Sequence, residues 1–123
     1  MIEMKCCDIL GTRILVTNMA DTVERIEHDM EELRGKYIYV GNVHTTVMAN
    51  DDAHYHEVQK SAAFVLPDGK PLSVYSRKHG FPEAERVTGP DLMLELFARE
   101  NGLKHYFYGG SPETLQMLEQ KLS

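Results

Sequence analysis

Three runs of β-forming residues, Tyr37–Val40, Phe64–Leu66 and Lys104–Tyr108, each end in turn residues and lead into a segment of helical spacing. Strands that alternate with helices in this way predict an α/β fold, Rossmann-like, with a mainly parallel sheet and flanking helices. Such sheets bind ligands beyond the carboxyl ends of their strands. Asn42, Asp68 and Gly109-Gly110 fall at those ends, which makes them the first residues to examine for function. The chain of 123 residues reads as a single α/β domain over 1–123, because no repeat, low-complexity tract or linker interrupts it.

The remaining elements follow from local signals. Cys6–Leu10 and Arg13–Thr17 read as a hairpin around Gly11. Asn18 or Asp21 can cap a helix whose core stripe is Val23, Ile26, Met30 and Leu33, with Gly35 ending it. Helices are expected over about Thr45–Asn50 and Ala53–Ala62, the second burying Tyr55, Val58 and Ala62. Leu72–Lys78 is expected to be helical. Gly89-Pro90-Asp91 opens a helix with Leu92, Leu96 and Phe97 inward, closed by Gly102. Ser111 caps a last helix with Pro112 in its first turn and Leu115, Leu118 and Leu122 inward.

A formal charge of −6 with scattered lysines and arginines argues against nucleic acid as a partner, since no basic stripe can neutralise phosphates. No apolar run approaches a membrane span, and the first ten residues lack the apolar core of a signal peptide. Cys6 and Cys7 are adjacent, which suits neither a disulfide framework nor a CxxC site; two thiols in a reducing cytoplasm are the simpler reading.

Among side chains able to do chemistry, Asp68 on a Pro-Asp-Gly turn can act as a general base toward a sugar hydroxyl. The competing reading is a plain Asp-Gly turn. Arg86 can clasp a diphosphate or carboxylate through its planar fork, or belong to a solvated loop with Glu83 and Glu85. Asn42 can orient a ligand or stabilise the turn at Gly41. His44 stands beside it as a candidate donor. Gly89, Gly109 and Gly110 permit close backbone approach, and the helices after them offer N–H groups to phosphate. His54 and His56 invite a metal reading, but on a helix residues two apart diverge.

Taken together, Val40-Gly41-Asn42-Val43-His44-Thr45-Thr46-Val47-Met48-Ala49, Leu66-Pro67-Asp68-Gly69-Lys70-Pro71-Leu72, Glu85-Arg86-Val87-Thr88-Gly89-Pro90-Asp91-Leu92-Met93 and Phe107-Tyr108-Gly109-Gly110-Ser111-Pro112-Glu113 resemble the WecG/TagA/CpsF family, glycosyltransferases of family 26. The match covers nearly the whole chain, loosely before residue 36. The resemblance implies an inverting transfer of an N-acetylhexosamine-type sugar, such as N-acetylmannosamine or its uronate, from a UDP donor to a polyprenyl-diphosphate-linked sugar. Products of that kind feed teichoic acid, exopolysaccharide and other cell-wall or capsule polymers. No cofactor is implied, and the chemistry is expected to be metal-independent.

Carried over by position, Asp68 would be the catalytic base. Asn42, His44, Thr45, Thr46, Arg86, Gly89, Asp91, Gly109 and Gly110 would line the substrate site. His44 departs from the acid that many members carry after Asn-Pro, and Val40 replaces a threonine that some members have, leaving that contact to Thr45 or Thr46. Family members are substantially longer, so the chain reads as the N-terminal half of an enzyme. The segment that touches the membrane would lie outside it, at the inner face of the bacterial cell membrane, and homo-oligomerisation stays open. The alternatives are a truncated, non-catalytic nucleotide-sugar or partner-binding module and, last, a metal-dependent hydrolase using His54 and His56.

Overall fold

The computed structural model describes residues 5–99 and 102–122. Strands β1 (Cys6–Ile9) and β2 (Thr12–Leu15) form an antiparallel hairpin. Its two-residue turn has both φ angles positive, 52° at Leu10 and 85° at Gly11, the mirror-image turn that matches the twist of paired strands. Asp8 secures it by accepting from the Gly11 N–H at 2.9 Å.

Helix α1 (Met19–His28) starts where Asn18 accepts from the Asp21 N–H at 2.8 Å. The single long helix expected here is instead broken at Asp29, and one further turn, α2 (Met30–Leu33), follows. Asp29 leaves helical geometry, with φ −102° and ψ 23°, yet Leu33 of the expected stripe still packs against the core. Val23 and Ile26 are buried, whereas Met30 is exposed.

Strands β3 (Ile38–Gly41) and β4 (Phe64–Pro67) complete a four-stranded sheet in the order β1-β2-β4-β3. Both β2 and β3 run parallel to β4, with Val40 opposite Leu66 and Gly41 opposite Pro67. The expected Rossmann-like, mainly parallel α/β architecture is therefore present. All of β4 is buried, as a central parallel strand covered on both faces must be. Alternation along it divides the core in two. Phe64 and Leu66 join Leu15, Val23, Ile26, Val87 and Leu92 on one face, and Val65 joins Cys7, Ile9, Ile14 and Leu72 on the other. Burying such side chains contributes on the order of 1.5–3 kcal/mol each.

Between β3 and β4 the chain forms α3 (Val43–Asp51) and α4 (Ala53–Lys60). Helix α5 (Lys70–Lys78) follows β4, and α6 (Gly89–Ala98) and α7 (Pro112–Leu122) come later. In α4 the buried residue is Gln59 and Val58 is exposed, whereas Tyr55 and, just beyond the helix, Ala62 are half-buried.

The third β run departs from expectation. Lys104–Tyr108 forms no strand, and Tyr106 and Tyr108 are 89% and 95% exposed. Propensity alone does not make a strand; a neighbour must pair its N–H and C=O groups, and the four-stranded sheet does not include this segment. It rests instead against α6, where the Phe97 ring meets His105 and Phe107 edge to face. Gly109-Gly110 consequently does not lie at a strand end. Ser111 does start α7, accepting from the Thr114 N–H at 3.2 Å. The expected inward stripe of α7 is only partly covered: Leu115 and Leu118 are half-buried and Leu122 is exposed. Gly102 is exposed and lies beyond the end of α6, which closes at Ala98.

Candidate active site

Asp68 is the first residue beyond β4, and its N–H donates to the Gly41 carbonyl at 2.8 Å, joining the carboxyl ends of β4 and β3. Helix α5 begins two residues later, so its positive end faces the same region of the molecule as the carboxylate. The next residue, Gly69, packs directly on the β3 turn: a Cβ there would sit 3.5 Å from Asn42 Cβ. Asn42 and Asp68-Gly69 are therefore neighbours, as their shared position at adjacent strand ends requires.

Arg86 arrives from a distant part of the chain. Glu85 N–H donates to Thr17 C=O and Val87 N–H to Pro67 C=O, both at 2.9 Å, so 85–87 crosses the carboxyl ends of β2 and β4 as an extended strap. Ala84 and Val87 anchor it, both buried. The backbone is held, while the side chains of Glu83, Glu85 and Arg86 stay exposed. Between the anchors, Arg86 Nε donates to the Asp68 carbonyl at 2.5 Å, and its Nη2 stands 3.8 Å from Asp68 Oδ1. The Asp68 side chain is 29% exposed and that of Arg86 54%, so both reach solvent. An ion pair that open contributes about 0–1 kcal/mol, and its value lies in position rather than stability.

The polar residues of the β3 turn are already engaged. Asn42 Oδ1 accepts from Thr45 N–H and Thr45 Oγ1 accepts from Asn42 N–H, both at 2.9 Å, a reciprocal cap on α3. Thr46 is buried and donates to Asn42 C=O at 2.8 Å. His44 is exposed in the first turn of α3. The amide nitrogen of Asn42 and the imidazole of His44 are the groups of this turn not used by the cap.

Gly89 packs on β3 as well, because a Cβ there would lie 3.8 Å from both Val40 methyls. The start of α6 is thereby drawn to the same edge. Thr88 caps it, accepting from the Asp91 N–H at 3.2 Å. Pro90 has no N–H and that of Asp91 is taken, so α6 offers fewer donors than an ordinary helix start. Asp91 is exposed and complements the helix dipole. Thr88 is missing from the candidates drawn from sequence, although its Thr-x-x-Asp spacing is a cap signal. Gly109 and Gly110 are exposed with φ of 112° and 79°; around Gly109 no side chain stands within 4 Å of where a Cβ would be.

The histidine alternative finds no donor set: among the described residues no group of three or more His, Cys, Asp or Glu side chains converges. Among the described residues no helix is long and apolar enough to cross a membrane.

The edge thus combines a half-buried carboxylate, a pinned guanidinium and two closely approached turns on a Rossmann-like sheet. The description "Glycosyl transferase WecG/TagA/CpsF family" belongs to a family profile that matches residues 7–123. The chain is 28% identical over 88 residues to an N-acetylglucosaminyldiphosphoundecaprenol N-acetyl-beta-D-mannosaminyltransferase of Bacillus spizizenii, covering 70% of this chain and 34% of that protein. It is 27% identical over 110 residues to the Bacillus subtilis protein of the same name, covering 88% of this chain and 42% of that protein. The matched stretches span 34% and 42% of the length of these relatives. On the match over residues 7–123, the chain belongs to the WecG/TagA/CpsF family of glycosyl transferases.

Proposed function

We propose that this chain carries the catalytic base of an inverting glycosyltransferase. The enzyme would move an N-acetylhexosamine-type sugar, N-acetylmannosamine or its uronate, from a UDP donor to a polyprenyl-diphosphate-linked sugar. The observation that carries the reading is the pairing of Asp68 with Arg86 at the carboxyl edge of the sheet. The names of the relatives support the sugar and the lipid-linked acceptor.

In this reading the Asp68 carboxylate takes the proton of the acceptor hydroxyl as that oxygen bonds to the donor's anomeric carbon. The bond from that carbon to the diphosphate breaks, and UDP leaves with the electron pair. Arg86 uses Nε to hold the Asp68 main chain, which leaves its other N–H donors for diphosphate or acceptor oxygens. His44 and the Asn42 amide nitrogen stand where they can orient the sugar. Such an enzyme would work at the inner face of the cell membrane and supply cell-wall or exopolysaccharide synthesis.

The test is Asp68→Asn in the protein as its cell makes it, assayed for transfer from UDP-N-acetylmannosamine to polyprenyl-diphosphate-N-acetylglucosamine. Loss of a general base predicts a fall in kcat of about 10²–10⁴ with UDP-sugar affinity unchanged. Undiminished turnover would remove Asp68 from its role. UDP-sugar binding by the unaltered protein with no turnover would favour the binding-module alternative.

A further inference from the structure

A cavity of about 330 Å³ opens at the opposite end of the sheet from Asp68. Its walls are the β1–β2 hairpin from Cys6 to Arg13, the end of α4 with the residues that follow it, and the start of β4. Thr12 and Phe64 begin their strands, whereas Asp68 follows the end of β4. At about 3.3 Å per residue, Val65, the last β4 residue at its wall, lies roughly 10 Å along the strand from Asp68.

We propose that this cavity is a binding site for a small organic phosphate, a phosphomonoester on a compact apolar body. The volume lies within the range of small-molecule sites, about 300–1,000 Å³. Phe64, buried, gives it an apolar wall, with Cys6 and Ala63 packed on the same face. Arg13 and Lys60 stand at its wall with exposed side chains. Among the described residues neither forms an ion pair with a carboxylate, and Arg13 reaches the Cys6 sulfur at the same wall through a hydrogen bond. That is notable in a chain of net charge −6, where acids outnumber bases. The one acid at the wall, Asp8, already accepts from the Gly11 N–H at 2.9 Å.

Two separate cations, one a planar fork and one a point charge, match the roughly two negative charges of a phosphomonoester better than the single charge of a carboxylate. The wall is rigid rather than adaptable. Gln59 is 2% exposed, accepts from the Thr12 hydroxyl and donates to Thr45 C=O, both at 3.2 Å. Its polar atoms are thus spent on the fold, and the charge for the ligand comes from Arg13 and Lys60.

The test is a titration of the protein, as its cell makes it, with phenyl phosphate, followed through backbone amide resonances. Saturable shifts are expected at Gly11, Thr12, Lys60 and Ala63, with those of Asp68 and Arg86 unmoved. Benzyl alcohol, which has the ring without the charge, is expected to bind at least ~10-fold more weakly. The pair Arg13→Gln and Lys60→Gln should weaken phenyl phosphate by a similar factor of about ten or more. Both side chains are exposed, so the fold should persist; should the double variant unfold, Lys60→Gln alone supplies the comparison. The proposal is overturned by absence of saturable shifts, by affinity unchanged in the variants, or by shifts confined to the Asp68 edge. Capture by phosphatidylglycerol vesicles with no response to phenyl phosphate would also overturn it, in favour of a lipid surface.

Discussion

Arg86 Nε donates to the carbonyl oxygen of Asp68 at 2.5 Å while Nη2 of the same guanidinium stands 3.8 Å from the Asp68 carboxylate. One side chain thus fixes the main chain of the acid and presents positive charge beside it. Lysine has the charge but not the fork, and cannot do both. Arg86→Lys is therefore expected to cost about 1 kcal/mol of stability, the loss of one hydrogen bond. Transfer should fall further, by about 10²-fold, because a positioned donor at the site of developing charge is lost. Urea unfolding beside steady-state kinetics measures the two separately, and an Arg86→Lys protein with full transfer would assign Arg86 to folding alone.

Asn42 has a helix-capping duty whatever it does for a ligand. Asn42→Ala is expected to destabilise the chain by about 1 kcal/mol in urea unfolding, and Asn42→Ser to restore most of that, because a serine hydroxyl also accepts from the third N–H of the helix. If Asn42→Ser regains stability but not transfer, the amide nitrogen acts on substrate. If it regains both, the residue acts only as a cap.

Gln59 is a buried polar residue with both ends satisfied by groups distant in sequence. Gln59→Leu keeps much of the volume but leaves the Thr45 carbonyl and Thr12 hydroxyl without their partner. A loss of about 2 kcal/mol is expected, read as a shift of the urea midpoint with unchanged slope. A neutral substitution would mean that water replaces the amide at both partners.

Burial pushes the Cys6 thiol above its ordinary range, against the attraction of Arg13, which also reaches the sulfur through a hydrogen bond. The folded state therefore holds its proton more tightly than the unfolded state. The resulting stabilisation is fully present below the ordinary thiol range and is lost as pH rises through the alkaline values where the thiol ionises. Unfolding midpoints are expected to fall more steeply with rising pH for the native protein than for Cys6→Ser. Iodoacetamide should also alkylate the folded protein more slowly than the urea-unfolded chain at about pH 8. Equal rates would show that Cys6 is not sheltered.

Elements whose signals are local are legible in the sequence. The Leu10-Gly11 hairpin turn, the Asn18 and Ser111 caps and the wholly apolar β4 follow from backbone sterics, capping chemistry and burial on both faces. Asp68 is legible because it stands just past a strand that can be recognised from its residues. Elements that depend on a partner are not. Lys104–Tyr108 has β-forming residues but no neighbour to pair with, and its backbone does not become a strand. Gln59 rather than Val58 faces inward because Thr12 and Thr45, far along the chain, offer it hydrogen bonds. The segment 85–87 has the composition of a charged loop, and it becomes a strap only because the Thr17 and Pro67 carbonyls receive its N–H groups.

By itself the sequence determined the alternation of strands and helices, the turn chemistry at each end and the presence of a carboxylate and an arginine that could work together. Only the tertiary structure decided that Asp68 and Arg86 meet, that Asn42 and Thr45 are occupied in a cap, and that Lys104–Tyr108 forms no strand before Gly109-Gly110. The division has one physical reason. Propensities and caps are settled by neighbouring residues, whereas a site is settled by which distant backbone groups find hydrogen-bond partners when the sheet closes.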